Sequence, residues 1–122
     1  MKQFLILFLI VILIDSIYLN TIKTPFATMI ESIQKTDINL RFYSILLCYF
    51  LVCTCIYYFL WKKNATYNEA FLLGLIIYGV FDTTSYALFR DWDVTLAIID
   101  SLWGGILFSA TLYVMNHFIS LH

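Results

Sequence analysis

Four apolar runs divide the chain. Phe4–Leu19 follows Lys2, Phe42–Trp61 is closed by Lys62-Lys63, Ala70–Phe89 ends at Arg90-Asp91, and Val94 opens a run that lasts to about Phe118. Each approaches or exceeds the roughly 20 residues a helix needs to cross a bilayer. None alternates polar and apolar over about ten residues, as the strands of a lipid-facing barrel would. Inside lipid a helix satisfies its own backbone groups. The pattern therefore predicts an all-α integral membrane bundle, a single transmembrane domain over residues 1–122 with spans near 3–20, 42–61, 70–89 and 94–118. The first run has the basic start and apolar stretch of a signal peptide. It lacks the small-residue cleavage site, because Asp15-Ser16-Ile17-Tyr18-Leu19 follows instead, so a retained helix is expected.

The longest connection, Asn20–Arg41, holds the only proline, Pro25. After it Phe26, Met29, Ile30 and Ile33 recur at helical spacing with Glu31, Gln34 and Lys35 between them. Thr24 could cap such a helix and Pro25 would occupy its first position. The expectation is a short surface helix between helices 1 and 2, near residues 26–35, with an ordered loop over the bundle as the alternative. The other connections are short, which makes helices 2 and 3, and 3 and 4, antiparallel neighbours.

Composition sharpens this reading. The chain is 62% hydrophobic and 12% charged, against the roughly 25% charged residues of a soluble domain, and its mean hydropathy is +0.88. So much apolar surface does not fit within a soluble core of 122 residues. The lipid bilayer is the expected partner, with a homo-oligomer or other membrane proteins beside it. A net charge of -1 offers nothing to nucleic acid. Cys48, Cys53 and Cys55 have no CxxC spacing and no nearby His, so they read as apolar packing residues. No metal or other cofactor is expected. Asn64-Ala65-Thr66 matches the glycosylation sequon, a three-residue pattern of little weight. An even number of spans puts both termini on one side, with Lys2, Lys62, Lys63 and Glu69. The other side has Lys23, Lys35, Arg41 and Arg90 among Glu31, Asp37, Asp91 and Asp93. The basic residues nearly balance, and the Lys62-Lys63 pair flush with a helix end tips the orientation toward cytoplasmic termini.

Charges within spans carry the most information, because each costs several kcal/mol to place in lipid on most scales. There are three, Asp15, Asp82 and Asp100. Asp15 precedes the end of its run by about five residues, Asp82 precedes Arg90 by eight, and Asp100 follows Asp93 by seven. At about 1.5 Å per residue all three lie roughly 7–12 Å inside the leaflet opposite the termini. One cluster facing the bundle interior is expected. Three ionised carboxylates in a low dielectric repel, so a proton or a cation should sit among them. Arg90 could snorkel back toward Asp82. Ile14-Asp15-Ser16-Ile17-Tyr18 and Ile99-Asp100-Ser101-Leu102-Trp103 share the order Ile-Asp-Ser-aliphatic-aromatic. This reads either as an inverted repeat or as the same local chemistry twice, an Asp with an aromatic on its own face three residues on. In helix 3 Asp82, Ser85, Tyr86 and Phe89 fall on one stripe. In helix 4 Ser101, Gly105 and Ser109 form a small-residue face for close helix approach. Gly104 leaves space beside Asp100.

Tyr78-Gly79-Val80-Phe81-Asp82-Thr83-Thr84-Ser85-Tyr86-Ala87, then Trp92, then Asp100-Ser101-Leu102-Trp103-Gly104 resembles the signature of the domain of unknown function 2177 family. The likeness carries over to Asp82, Thr84, Ala87, Trp92, Asp100, Trp103 and Gly104. Phe81, Ser85, Leu88 and Tyr18 depart from the family's Tyr, Asn, Thr and Trp. The resemblance implies a four-helix membrane protein and no particular activity.

Two functions fit these residues. The acids could be a polar clasp that locks helices 1, 3 and 4 in a structural or interaction protein. They could instead form a proton or cation site in a transporter, with Thr84, Ser85, Tyr86, Trp103 and Arg90 around them. A catalytic role is the weakest reading. His117 and His122 lie at the far membrane face, no Ser/His/Asp set is credible, and neither a Gly-rich phosphate loop nor a Thr-Val-Gly-Tyr-Gly filter is present.

Overall fold

The computed structural model describes residues 2–36 and 41–118. They form α1 (Lys2–Gln34), α2 (Phe42–Thr54) continued by a π-helical run (Cys55–Trp61), α3 (Tyr67–Leu88) and α4 (Val94–Phe118). Four helices are long and apolar enough to cross a membrane, with α2 and its π-helical continuation counted as one, and no strand occurs among the described residues.

Helix α1 differs from the expected span. It runs for 33 residues, about 50 Å at 1.5 Å per residue, against a hydrocarbon core of about 30 Å. Pro25 lies inside it, where the missing N–H leaves the Thr21 carbonyl without its helical donor. Packing holds the helix together past this point. Phe26, Met29, Ile30 and Ile33 close over Trp92, Leu96 and Ala97 at the α3–α4 turn, and the Asp93 amide donates to Met29 Sδ at 3.0 Å. The segment expected as a separate surface helix is helical, but it is the far end of α1 folded onto that turn. Lys35 ends it in the left-handed conformation (φ 60), its amide bonded to the Glu31 carbonyl at 2.7 Å. Asp37 and His122 lie outside the described residues.

The buried stripe of α1 is Leu7, Val11 and Asp15, while Leu5, Leu9 and Leu13 point outward, the four-residue rhythm of a helix with one face on its neighbours and one on lipid. Leu7 and Val11 join Ile56, Leu60, Trp61, Ala70, Leu112 and Met115 in the main core. Asn64 takes a left-handed turn (φ 52) after the π-helical run, a conformation Asn tolerates. Thr66 then caps α3: its Oγ1 accepts from the Glu69 amide at 3.1 Å and Glu69 Oε1 accepts from the Thr66 amide at 2.8 Å. The sequon's threonine hydroxyl is therefore the helix cap.

Helices α3 and α4 make the closest approach. A Cβ on Gly74 would collide with the Gly104 carbonyl and the Phe108 ring. One on Gly105 would lie 2.7 Å from the Phe71 ring and 2.9 Å from its carbonyl oxygen. Ser109 Oγ donates to the Tyr67 carbonyl at 3.3 Å. The face Ser101-Gly105-Ser109 thus meets α3, as the small residues imply. The space expected beside Asp100 at Gly104 is occupied, because the Tyr78 ring packs there.

Candidate functional site

Asp15, Asp82 and Asp100 are buried, with 7%, 1% and 8% of their surface exposed. Each continues the inward stripe of its helix. Asp15 lies one turn beyond Val11, Asp82 shares the buried face of α3 with Gly74 and Ser85, and Asp100 lies between Ala97 and Gly104.

The two like pentapeptides meet. Trp103 of α4 donates through Nε1 to Asp15 Oδ1 at 2.9 Å, and Tyr18 of α1 donates through its hydroxyl to Asp100 Oδ1 at 3.0 Å. The two rings stack with centroids 4.7 Å apart and an interplanar angle of 6°. Each acid is therefore served by the aromatic of the other helix. The serines behave alike as well: Ser16 Oγ bonds back to the Ile12 carbonyl at 2.6 Å and Ser101 Oγ to the Ala97 carbonyl at 2.9 Å. Tyr49 of α2 also donates to Asp15, its hydroxyl bonding Oδ2.

Asp82 is held differently. Its Oδ2 is 3.4 Å from Ser101 Oγ, but that hydroxyl has a single proton and a shorter bond to the Ala97 carbonyl. Asp82 Oδ1 is buried with no hydrogen-bond partner, as is Trp92 Nε1. Asp100 and Trp92 are both near enough to Asp82 to interact with it electrostatically. Trp92 is enclosed by Phe26, Phe81 and Phe89, with centroids 6.2, 5.8 and 5.9 Å away, at the α3–α4 turn on the Asp82 side of the cluster.

Not every predicted site residue reaches this cluster. Ser85 is buried beside Asp82, whereas Thr84, Tyr86 and Arg90 are exposed. Tyr86 shares with Asp82 and Ser101 a recess of about 280 Å³ between α3 and α4. Thr84 lines a separate shallow one with Gly79 and Val80. Arg90 makes no hydrogen bond or ion pair among the described residues, and the donors to Asp15 and Asp100 are the neutral groups of Tyr and Trp. Tyr49 was not legible as a site residue, since one tyrosine among nine gives no periodic signal. A larger cavity of about 740 Å³ runs from Asp15 and Tyr49 along α1 to Lys23 and Glu31.

Among the described residues no three His, Cys, Asp or Glu side chains converge as metal ligands, and all three cysteines are free. His117 stacks on Tyr113 at 4.1 Å, near the end of α4 remote from the acids. The chemistry available at the site is thus hydrogen bonding to, or charge pairing with, buried carboxylates.

No curated protein and no solved structure matches this chain. A family model does, over residues 1–115, which takes in both pentapeptides, Asp82 and the Trp92 turn. The chain belongs to the domain of unknown function 2177 family, described as predicted membrane proteins.

Proposed function

We propose that the acids are a polar clasp that fixes α1, α3 and α4 against one another, in a membrane protein with a structural or interaction role. The carrying observation is the exchange between Asp15–Trp103 and Asp100–Tyr18 across one stacked ring pair. An arrangement in which every bond of the pair crosses between helices specifies their register and rotation together, the use for which buried polar groups are best attested. On this reading both termini are cytoplasmic, which the Lys62-Lys63 pair at the end of the second span supports; Lys63 lies 5.0 Å from the Tyr58 ring centroid and Lys62 5.7 Å from that of Tyr57, the mixed basic and aromatic chemistry of a membrane interface.

The test is a pair of substitutions at each of two sites. Asp15→Asn and Asp100→Asn keep an acceptor for Trp103 and Tyr18, so the purified protein should stay monodisperse with a loss of about 1–2 kcal/mol. Asp15→Leu and Asp100→Leu strand those donors and should cost clearly more. Equal damage from Asn and Leu, in unfolding from mixed micelles, would reject the clasp.

A second reading is favoured by the unpartnered Asp82 Oδ1 beside Asp100: the pair binds one proton or a monovalent cation between its carboxyl groups. Asp82→Asn would then preserve the fold and abolish any pH- or ion-dependent change in stability that the parent protein displays.

A further inference from the structure

The large cavity is elongated. Asp15 and Glu31 both line it and are sixteen residues apart on α1, about 24 Å along the helix axis. Its volume of about 740 Å³ falls in the range of pockets that enclose small organic ligands, and its composition matches theirs, a mostly apolar wall with few polar groups. α1 contributes Phe26 and Ile30, α2 contributes Ile45 and Val52, and Tyr78 enters from α3. At the inner end Asp15 accepts two bonds, from Trp103 and Tyr49. A carboxylate has about four acceptor positions, so capacity remains, and neither donor carries a positive charge. Tyr49 and Tyr78 line the cavity too, and tyrosine rings attract organic cations. At the outer end Lys23 and Glu31 bring opposite charges, so the negative end of the cavity is the inner one.

We propose that this cavity binds a lipophilic cation, its positive centre beside Asp15 and Tyr49 and its apolar body lying between α1 and α2. The acid alone would not select this ligand class. The length of apolar wall leading to a carboxylate with no cationic partner does, because a neutral lipid gains no charge pairing from Asp15 and an anion is repelled by it. The site shares Asp15 with the proposed clasp, but the Asp15–Trp103 bond can persist with the cavity filled or empty.

The experiment uses the full chain in nanodiscs with two ions of matched size and opposite charge, tetraphenylphosphonium and tetraphenylborate. Tetraphenylphosphonium should bind saturably, at least tenfold tighter than tetraphenylborate, and should slow alkylation of Cys48, which is exposed and lines the cavity, with the modified cysteine identified by mass spectrometry. Asp15→Asn should weaken binding of the phosphonium at least tenfold. Ala27→Trp, which narrows the apolar stretch of the cavity about 18 Å along α1 from Asp15, should weaken it. Equal binding of the two ions would overturn the proposal in favour of a slot for bilayer lipid. Unchanged phosphonium binding in Ala27→Trp, or undiminished Cys48 reactivity at saturation, would overturn it by placing the cation elsewhere. If Asp15→Asn does not fold, the clasp reading fails with it, while the two ions on the parent protein and Ala27→Trp still decide the cavity.

Discussion

The indole of Trp103 does two things that one substitution separates. It donates to Asp15 and it stacks on Tyr18. Trp103→Phe keeps a ring for the stack, a contribution of about 0.5–1.5 kcal/mol, but removes the donor from a buried carboxylate, a loss of about 1.5–3 kcal/mol. The same reasoning applies to Tyr18→Phe at Asp100. The two losses should be similar in unfolding measurements because the bonds are alike in length, 2.9 and 3.0 Å; a negligible effect of both would mean that water replaces the donors. At this scale the sequence was half legible. The repeated Ile-Asp-Ser-aliphatic-aromatic order announced that α1 and α4 do the same local chemistry. Spacing within one helix does not reveal that each aromatic serves the acid of the other, because that follows from how the helices pass each other. Arg90 illustrates the opposite error: proximity in sequence to Asp82 suggested a partner, and the turn that follows α3 carries it outward.

Among the elements, the α3–α4 pair rests on missing side chains. Gly105→Leu forces a branched group into the Phe71 ring and carbonyl and should cost about 1–3 kcal/mol, read as a fall in melting temperature in detergent. Gly79 provides the control, since its added Cβ would find Ser101 Oγ only at 3.9 Å; Gly79→Ala should leave melting unchanged. The small-residue face of α4 was visible from its four-residue period, but its partner was not, because Gly74 and Tyr78 come from a helix whose rotation no pattern specifies. α1 was misread for a related reason. Lys23, Thr24 and Pro25 look locally like the end of one helix and the start of another, and tertiary contact with Trp92 overrides that preference.

For the molecule as a whole, four helices are long and apolar enough to cross a membrane, and if all four do, the Lys62–Thr66 turn and the Arg90–Asp93 turn lie on opposite faces. Cysteines introduced at Asn64 and Asp91, both exposed, in a background with the native cysteines replaced, should react with an impermeant maleimide from opposite sides; reaction from one side alone would refute the topology. That four helices are long and apolar enough to cross a membrane was legible from apolar run lengths, whereas the covered α3–α4 turn depends on contacts between residues more than 60 positions apart, as in the Met29–Asp93 bond. The sequence separation of the donors to Asp15 also has a consequence for how the protein is made. Tyr49 follows the acid by 34 residues and Trp103 by 88. At a synthesis rate of about 5–20 residues per second, the ribosome needs roughly 4–18 s after Asp15 to produce the second donor. Throughout that interval the first helix carries an acid whose hydrogen bonds are incomplete, and a chain stopped before α4 never supplies them. The arrival of α4 therefore supplies the last donor to Asp15, and until then an unfinished polypeptide is chemically distinct from a finished one at the depth of that acid.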